Sequence, residues 1–160
     1  MNIKSIIGDF VFQCLSRTSP KLYIEVLYKR YFHKSIDWKH PRNVDEKINW
    51  LKLYSDTSKW TELADKYKVR EYVAQQGFGD MLVKLYGKWD KADNIEWEKL
   101  PERFVMKANN GSGDILICQD KSKIDTKFHV KKFNSVLKMK FGYLKVEPHY
   151  NKIPPCIIAE

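Results

Sequence analysis

The strongest chemical signal is one run, Phe104-Val-Met-Lys-Ala-Asn-Asn-Gly-Ser-Gly-Asp-Ile-Leu-Ile-Cys118. Two apolar stretches with β-branched residues flank a loop of small and amide residues, and Lys107 stands near the end of the first. Gly111 and Gly113 let backbone N–H groups turn toward an anion with no Cβ in the way. A neighbouring lysine brings the compact positive charge that a polyphosphate needs. The run therefore reads as a phosphate-binding turn between two strands. It also satisfies a plain β-hairpin, because Asn-Gly is the commonest hairpin turn dipeptide, and on these residues alone both readings stay open. It is neither a Walker A loop, since no Gly-Lys-Ser/Thr follows, nor a dinucleotide fingerprint, whose glycine spacing and following helix are missing.

Other chemistries find little support. Cys14, Cys118 and Cys156 are far apart and odd in number, without a Cys-x-x-Cys pair or a Cys/His zinc spacing. His33, His40, His129 and His149 show no mutual spacing of a metal or catalytic pair. No Gly-x-Ser-x-Gly elbow and no Asp-x-Asp motif is present. Reduced cysteines fit a cytoplasmic address.

Periodicity outlines the helices and strands around this loop. Ile3, Ile6, Ile7, Phe10, Val11, Cys14 and Leu15 form one helical stripe. Ser19-Pro20 opens a second helix to Phe32 with a basic, aromatic tail. These two helices are expected to pack together; the alternative is a peripheral membrane contact through residues 1–34. Asn43 with Glu46 resembles a capping box for a helix Val44–Tyr54 that carries Ile48, Leu51 and Tyr54 on one side. The next helix starts near Asp56-Thr57 and turns Trp60, Leu63 and Ala64 inward. Asp65 either caps a further turn or restarts the helix, Val69, Tyr72 and Val73 form the next apolar face, and Gly77 suits a left-handed stop.

After Gly79 the pattern becomes extended. Met81–Tyr86 is a strand candidate, Asn94–Leu100 a short helical turn, and Arg103–Lys107 and Ile115–Cys118 a pair of strands. Asp125 can cap a helix to about Lys140 that buries Val130, Phe133, Val136 and Leu137. The apolar run Cys156–Glu160 reads as a central strand met by no terminating turn, so a truncated chain is expected. The predicted fold class is α+β: a helical amino-terminal part to about residue 77, then a small mixed or antiparallel sheet with flanking helices and the hairpin at one edge. The predicted core is Trp60, Leu63, Val73, Leu85, Phe104, Met106, Ile115, Ile117, Phe133, Leu137 and Ile158.

Composition sets the outer limits. The 160 residues are 43% hydrophobic and 31% charged, which suits a folded domain and not a disordered chain. Twenty-nine Lys and Arg against 20 Asp and Glu leave a net charge of +9, so an anionic partner fits, whether nucleotide, nucleic acid, acidic glycan or lipid. No stretch approaches the ~18 uninterrupted apolar residues of a membrane span. Met1–Leu15 carries Asp9 and Gln13 and lacks a small-residue cleavage site, unlike a signal peptide. Seven lysines between Lys121 and Lys140 support a nucleic-acid alternative. They surround a helix whose other side is apolar, the pattern of a solvated surface, so no nucleic acid is expected.

Five segments in order carry a family resemblance: Asp45-Glu-Lys-Ile-Asn-Trp-Leu-Lys-Leu-Tyr54, Ala64-Asp-Lys-Tyr-Lys-Val-Arg-Glu-Tyr-Val73, Leu100-Pro-Glu-Arg-Phe-Val-Met-Lys107, Asn109–Cys118 and Ile157-Ile-Ala-Glu160. Together, over roughly residues 36–160, they resemble the TupA-like (teichuronopeptide-biosynthesis-like) ATP-grasp family of bacterial capsule and cell-wall polysaccharide loci. The resemblance implies a helical region 1–55 and an incomplete nucleotide-binding subdomain 56–160. It implies ATP and Mg2+ as cofactors, with the magnesium ligands beyond Glu160. Lys107 would touch the α- and β-phosphates, Lys66 would be a second phosphate lysine, and Asn110, Gly111, Ser112 and Gly113 would form a mobile loop over the β- and γ-phosphates. Glu160 would receive the adenine amino group. Relatives often have histidine where Asn110 stands. The implied reaction activates a carboxylate as an acyl phosphate for attack by an amine, with an anionic saccharide or an amino acid as substrate, and this portion alone is expected to be inactive. The alternatives are a sugar transferase of the same loci and a basic nucleic-acid-binding module. Arg70 and Glu71 read as ordinary helix-surface charges, and Asp114 as a turn residue.

Overall fold

The computed structural model describes residues 12, 14–144 and 146–160. Of the first helical stripe, Ile3, Ile6, Ile7, Phe10 and Val11 lie outside the described residues, and with them much of the segment of the membrane alternative. Among the described residues no helix is long and apolar enough to cross a membrane.

Helix α1 (Pro20–Phe32) begins on a proline, whose preset φ suits a first turn. It ends where His33 adopts φ 55° and returns its N–H to the Lys29 carbonyl at 2.9 Å. Helix α2 (Val44–Tyr54) starts from Asn43, whose Oδ1 accepts from the Glu46 N–H at 2.9 Å. The Glu46 carboxylate in turn accepts from the Arg42 N–H (2.8 Å) and the Tyr28 hydroxyl (2.7 Å). Those donors, Arg42 first and Tyr28 next, hold its carboxyl below the usual carboxylate range. Glu46 is buried as a result, and α2 faces α1 through a polar side chain. Ile48, Leu51 and Tyr54 do share a side, but it faces solvent. Tyr23, Ile24, Tyr28, Ile36 and Val146 make the small core of this helical part.

Helices α3 (Ser58–Ala64) and α4 (Lys68–Val73) follow, and the left-handed stop falls at Gly77 (φ 85°). Residues Met81–Tyr86 are not a strand. A 3-10 turn occupies Gly79–Met81, and pairing begins only where the Tyr86 N–H meets the Ala159 carbonyl at 2.8 Å. Strand β1 is Gly87–Trp89. Two 3-10 turns, Ala92–Asn94 and Trp97–Lys99, lead to β2 (Phe104–Ala108) and its hairpin partner β3 (Ile115–Cys118). Asp125 caps α5 (Thr126–Leu137) through the Phe128 N–H at 2.9 Å. This helix stops three residues short of Lys140. Short helices α6 (Phe141–Leu144) and α7 (Pro148–Asn151) precede β4 (Ile157–Ala159).

The protein is α+β, and its antiparallel sheet has the order β1-β4-β2-β3. Thus β4 is central and the hairpin strand β3 is an edge. Register decides what is buried. Phe104 faces Cys118 and Met106 faces Leu116, so these four share one side of the sheet. With Ile157, Ala159, Ala92, Ile95, Leu100 and Phe133 of α5 they form the main core. Period-two alternation then sends Ile115 and Ile117 to the other side. They are 47% and 67% exposed, which corrects their assignment to the core. Leu63 is likewise exposed, and Trp60, Val73, Leu85 and Leu137 are half-buried.

Candidate functional site

The second face of the sheet carries the charged residues. On its β1–β4 half the Lys88 ammonium sits over the ring of Tyr67, from the turn before α4, at 5.4 Å, and Ile158 is fully buried. The β2–β3 half stays open, with Val105, Lys107, Ile115 and Ile117 along it. At the border of the open half Lys107 pairs with Glu160 and shares a cavity with Lys66.

The junction is built around Asn109, the residue after β2, which is 1% exposed. Its side-chain amide donates to Asp65 Oδ1 at 2.9 Å and to the Pro154 carbonyl at 3.0 Å, and its Oδ1 accepts from the Cys156 N–H at 2.7 Å. Its backbone N–H reaches the Cys156 carbonyl (2.9 Å), and its carbonyl accepts from the Lys66 N–H (3.2 Å). Asp65 Oδ1 also accepts from the N–H groups of Tyr67 (2.9 Å) and Lys68 (3.3 Å), capping the turn that opens α4. One buried amide therefore ties the end of β2, the start of α4 and the entry to β4 together, and that tie places Lys66. The capping role of Asp65 is the one the sequence suggests, whereas its bond to Asn109 and the tie made by Asn109 are not legible there. The Asp-Lys pair at a helix start was the available signal for Asp65; nothing local distinguishes Asn109 from Asn110.

Lys66 and Lys107 line one cavity of about 140 Å³ together with Ala108, Asn110 to Ile115, Val136, Met139 and Phe141. The Lys66 ammonium donates to the Gly111 carbonyl at the hairpin tip. Burial, and next the neighbouring Lys107 charge, push the Lys66 ammonium below its ordinary pKa, against an opposing pull from Asp65. Of the tip residues, Asn110 is buried, Gly111 half-buried, and Ser112 and Gly113 exposed. Gly113 has φ 98°, a left-handed value that favours glycine. Gly111 sits where an added Cβ would come within 3.1 Å of Phe141. Asp114 is more than a turn residue: it lines the cavity and pairs with Lys132 at 3.7 Å.

Glu160 is outside the cavity and adjacent to it. Its backbone pairs with Val105 in both directions (2.7 and 2.8 Å), which puts its side chain diagonal to Lys107 on the same face. Its Oε2 binds the Lys107 ammonium, and its Oε1 binds Arg70 Nη1 at 2.7 Å. Arg70 also donates to the Val83 carbonyl. Arg70 is thus a half-buried partner of the site and not the surface charge that the sequence suggested. A wider, shallow depression of about 820 Å³ lies at the other end of the hairpin, beside Arg103, Cys118 and Lys123. It contains neither lysine, and its Lys123 is spent on Asp120 at 2.8 Å.

What the junction offers chemically is a small basic cavity under a glycine-bearing turn, beside an open apolar strand surface. At about 140 Å³ it falls below the ~300–1,000 Å³ of a whole small-molecule pocket, so it fits a phosphate group and not a complete nucleotide. The described residues contain no group of three or more His, Cys, Asp or Glu side chains able to hold a metal. No curated protein and no solved structure matches the chain. A family profile described as TupA-like ATPgrasp does match, over residues 46–160. That span includes every residue of the junction, from Asp65 to Glu160. The chain therefore belongs to the TupA-like ATP-grasp family, and its general function is the ATP-using, ligase-like one of that family.

Proposed function

We propose that this chain is the nucleotide-holding part of an ATP-dependent carboxylate–amine ligase of bacterial surface-polysaccharide assembly. The observation that carries the reading is that Lys66 and Lys107 line the same cavity beneath Asn110, Gly111, Ser112 and Gly113. The two ammonium groups lining that cavity repel each other, an anion between them relieves the repulsion, and a polyphosphate is the anion that a glycine turn suits. Lys66 is already committed to the tip through Gly111, so a phosphate bound there replaces that bond and draws the tip over itself. The open strip of Val105, Ile115 and Ile117 offers a flat apolar surface for the base. Glu160 at its border is an acceptor for an exocyclic amino group.

In this reading a substrate carboxylate oxygen attacks the γ-phosphorus and ADP leaves. An amine then attacks the acyl carbon and phosphate leaves, giving an amide. Within that sequence the chain's own residues hold the phosphates, offset their charge and keep water away from the acyl phosphate. Amide formation between an amino acid and an acidic sugar fits the net charge of +9. The three free cysteines support a cytoplasmic setting. Magnesium is a different matter. Asp65 is engaged by backbone N–H groups and Asn109, Asp114 by Lys132, and Glu160 by two cations. These residues do not fit a magnesium site.

The test is titration of the chain with Mg-ATP by calorimetry, repeated with Lys107→Ala and with Lys66→Ala. Each variant is expected to lose about tenfold or more in affinity, as for truncation of one partner of a close charge pair. Equal affinity in all three proteins, or no saturable binding by the parent, overturns the reading.

A further inference from the structure

Lys66, in the turn that opens α4, and Arg70 on α4 itself reach different ends of one charged row. Lys66 meets the hairpin tip. Arg70 meets Glu160 at 2.7 Å. Lys107 stands between them and shares the Glu160 carboxylate with Arg70, one oxygen each. The side chains of Arg70, Lys107 and Glu160 are 15%, 23% and 11% exposed, so water screens this trio only partly. A planar guanidinium fixes the direction of the carboxylate that it holds, and the second nitrogen of Arg70 is itself anchored on the Val83 carbonyl.

We propose that Arg70 is a positioning residue of the phosphate site: by holding one oxygen of Glu160 it keeps Lys107 from being fully committed to that carboxylate and so available to an incoming phosphate. The inference rests on the function proposed above. Glu160 is an internal anion that competes with the ligand for Lys107. With Arg70 present, half of the carboxylate is satisfied elsewhere, and Lys107 leaves it at modest cost. Without Arg70 both oxygens turn to Lys107, and a phosphate must displace the whole pair. Arg70 touches neither phosphate nor reacting atoms in this account; it acts through Glu160.

The experiment is a double-substitution cycle on the full chain, with magnesium tripolyphosphate as the probe because it carries no base. Affinity is measured by calorimetry for the parent, Arg70→Gln, Glu160→Gln and the combined variant, with melting temperatures to register folding. Arg70→Gln alone is expected to weaken binding about tenfold, the lower range of coupling between close, partly desolvated charges. With Glu160→Gln also present, Arg70→Gln is expected to cost less than about twofold, because the competitor is gone. A role that is only structural or only long-range attraction costs the same with Glu160 as without it, and that additive result overturns the proposal while leaving the proposed function standing. A parent chain that fails to bind tripolyphosphate overturns the function itself. Should Arg70→Gln not fold, Arg70→Lys completes the same cycle: it keeps the charge but cannot bridge Val83 and Glu160 together, and a non-additive loss of the same sign is expected.

Discussion

Replacing Asn109 by alanine removes three side-chain hydrogen bonds at once, to Asp65, to the Pro154 carbonyl and from the Cys156 N–H. Each is worth about 1 kcal/mol net, and a buried N–H left without an acceptor adds its own desolvation cost of about 1 kcal/mol or more. Asp65 keeps its two backbone donors, so its share is the smallest. The expected loss is about 3 to 4 kcal/mol, a large part of the ~5–15 kcal/mol that a domain has to spare. Urea unfolding followed by tryptophan fluorescence would show the midpoint falling by about 1.5 to 2 M at a slope of about 2 kcal/mol/M. Asn109→Asp sharpens the test. Its one oxygen still accepts from Cys156, but the other faces the Asp65 carboxylate and the Pro154 carbonyl with no proton to share. Two carboxylates in contact raise the folded-state pKa of one of them. A group with a raised folded pKa contributes stability below its unfolded value of ~3.9 and loses it as pH rises through the folded value. The deficit of Asn109→Asp should therefore shrink steadily as pH falls from 7 toward 4. A loss below about 1 kcal/mol for Asn109→Ala, or a pH-independent deficit for Asn109→Asp, would refute the role of Asn109 as the tie between β2, α4 and β4.

Three further outcomes can be measured. Burial and Lys107 depress the Lys66 pKa, and a bound polyanion raises it again, so tripolyphosphate binding should take up protons in the alkaline range and weaken as pH climbs toward ~10.5; calorimetry in two buffers of different ionisation enthalpy reports this uptake, and it should vanish in Lys66→Met. Burial, with a smaller contribution from Lys52, lowers the pKa of His149 despite the opposing Glu147, so its stabilising contribution holds above ~6.5 and is lost as pH falls through the folded value; melting temperature against pH should show this slope in the parent and lose it in His149→Phe. Gly113→Ala has no neighbour to strike but a φ of 98° to sustain, which costs about 1–2 kcal/mol. Gly111→Ala instead presses on Phe141, and its melting temperature should be recovered by Phe141→Leu where that of Gly113→Ala is not.

Much of the architecture is legible locally. Pro20, Asn43 with Glu46, Gly77 and Asp125 mark helix boundaries that the structure keeps, because a cap or a left-handed turn is a property of a few adjacent residues. The alternation Phe104, Met106, Ala108 reads directly as the buried side of β2. The return strand does not read the same way. Ile115 and Ile117 are β-branched where Leu116 and Cys118 are not, yet the register across Phe104–Cys118 turns them outward. The segment Met81–Tyr86 has strand-forming residues and no partner until Tyr86. Ile48, Leu51 and Tyr54 have helical spacing, but the hydrogen bonds of Glu46 turn α2 the other way.

From the sequence alone come most of the element types, the helix caps, the basic charge and the presence of a lysine beside a glycine turn, since each depends on covalent chemistry or on neighbours within about one turn of chain. Which lysines share a cavity, how Arg70 and Lys107 divide Glu160, and how Asn109 joins three segments all follow from long-range packing. The side-chain hydrogen bonds among them join residues 44 to 90 positions apart. No local pattern encodes such pairings, because strand register and helix docking are settled by the burial of the whole sheet and not by the residues that then meet across it.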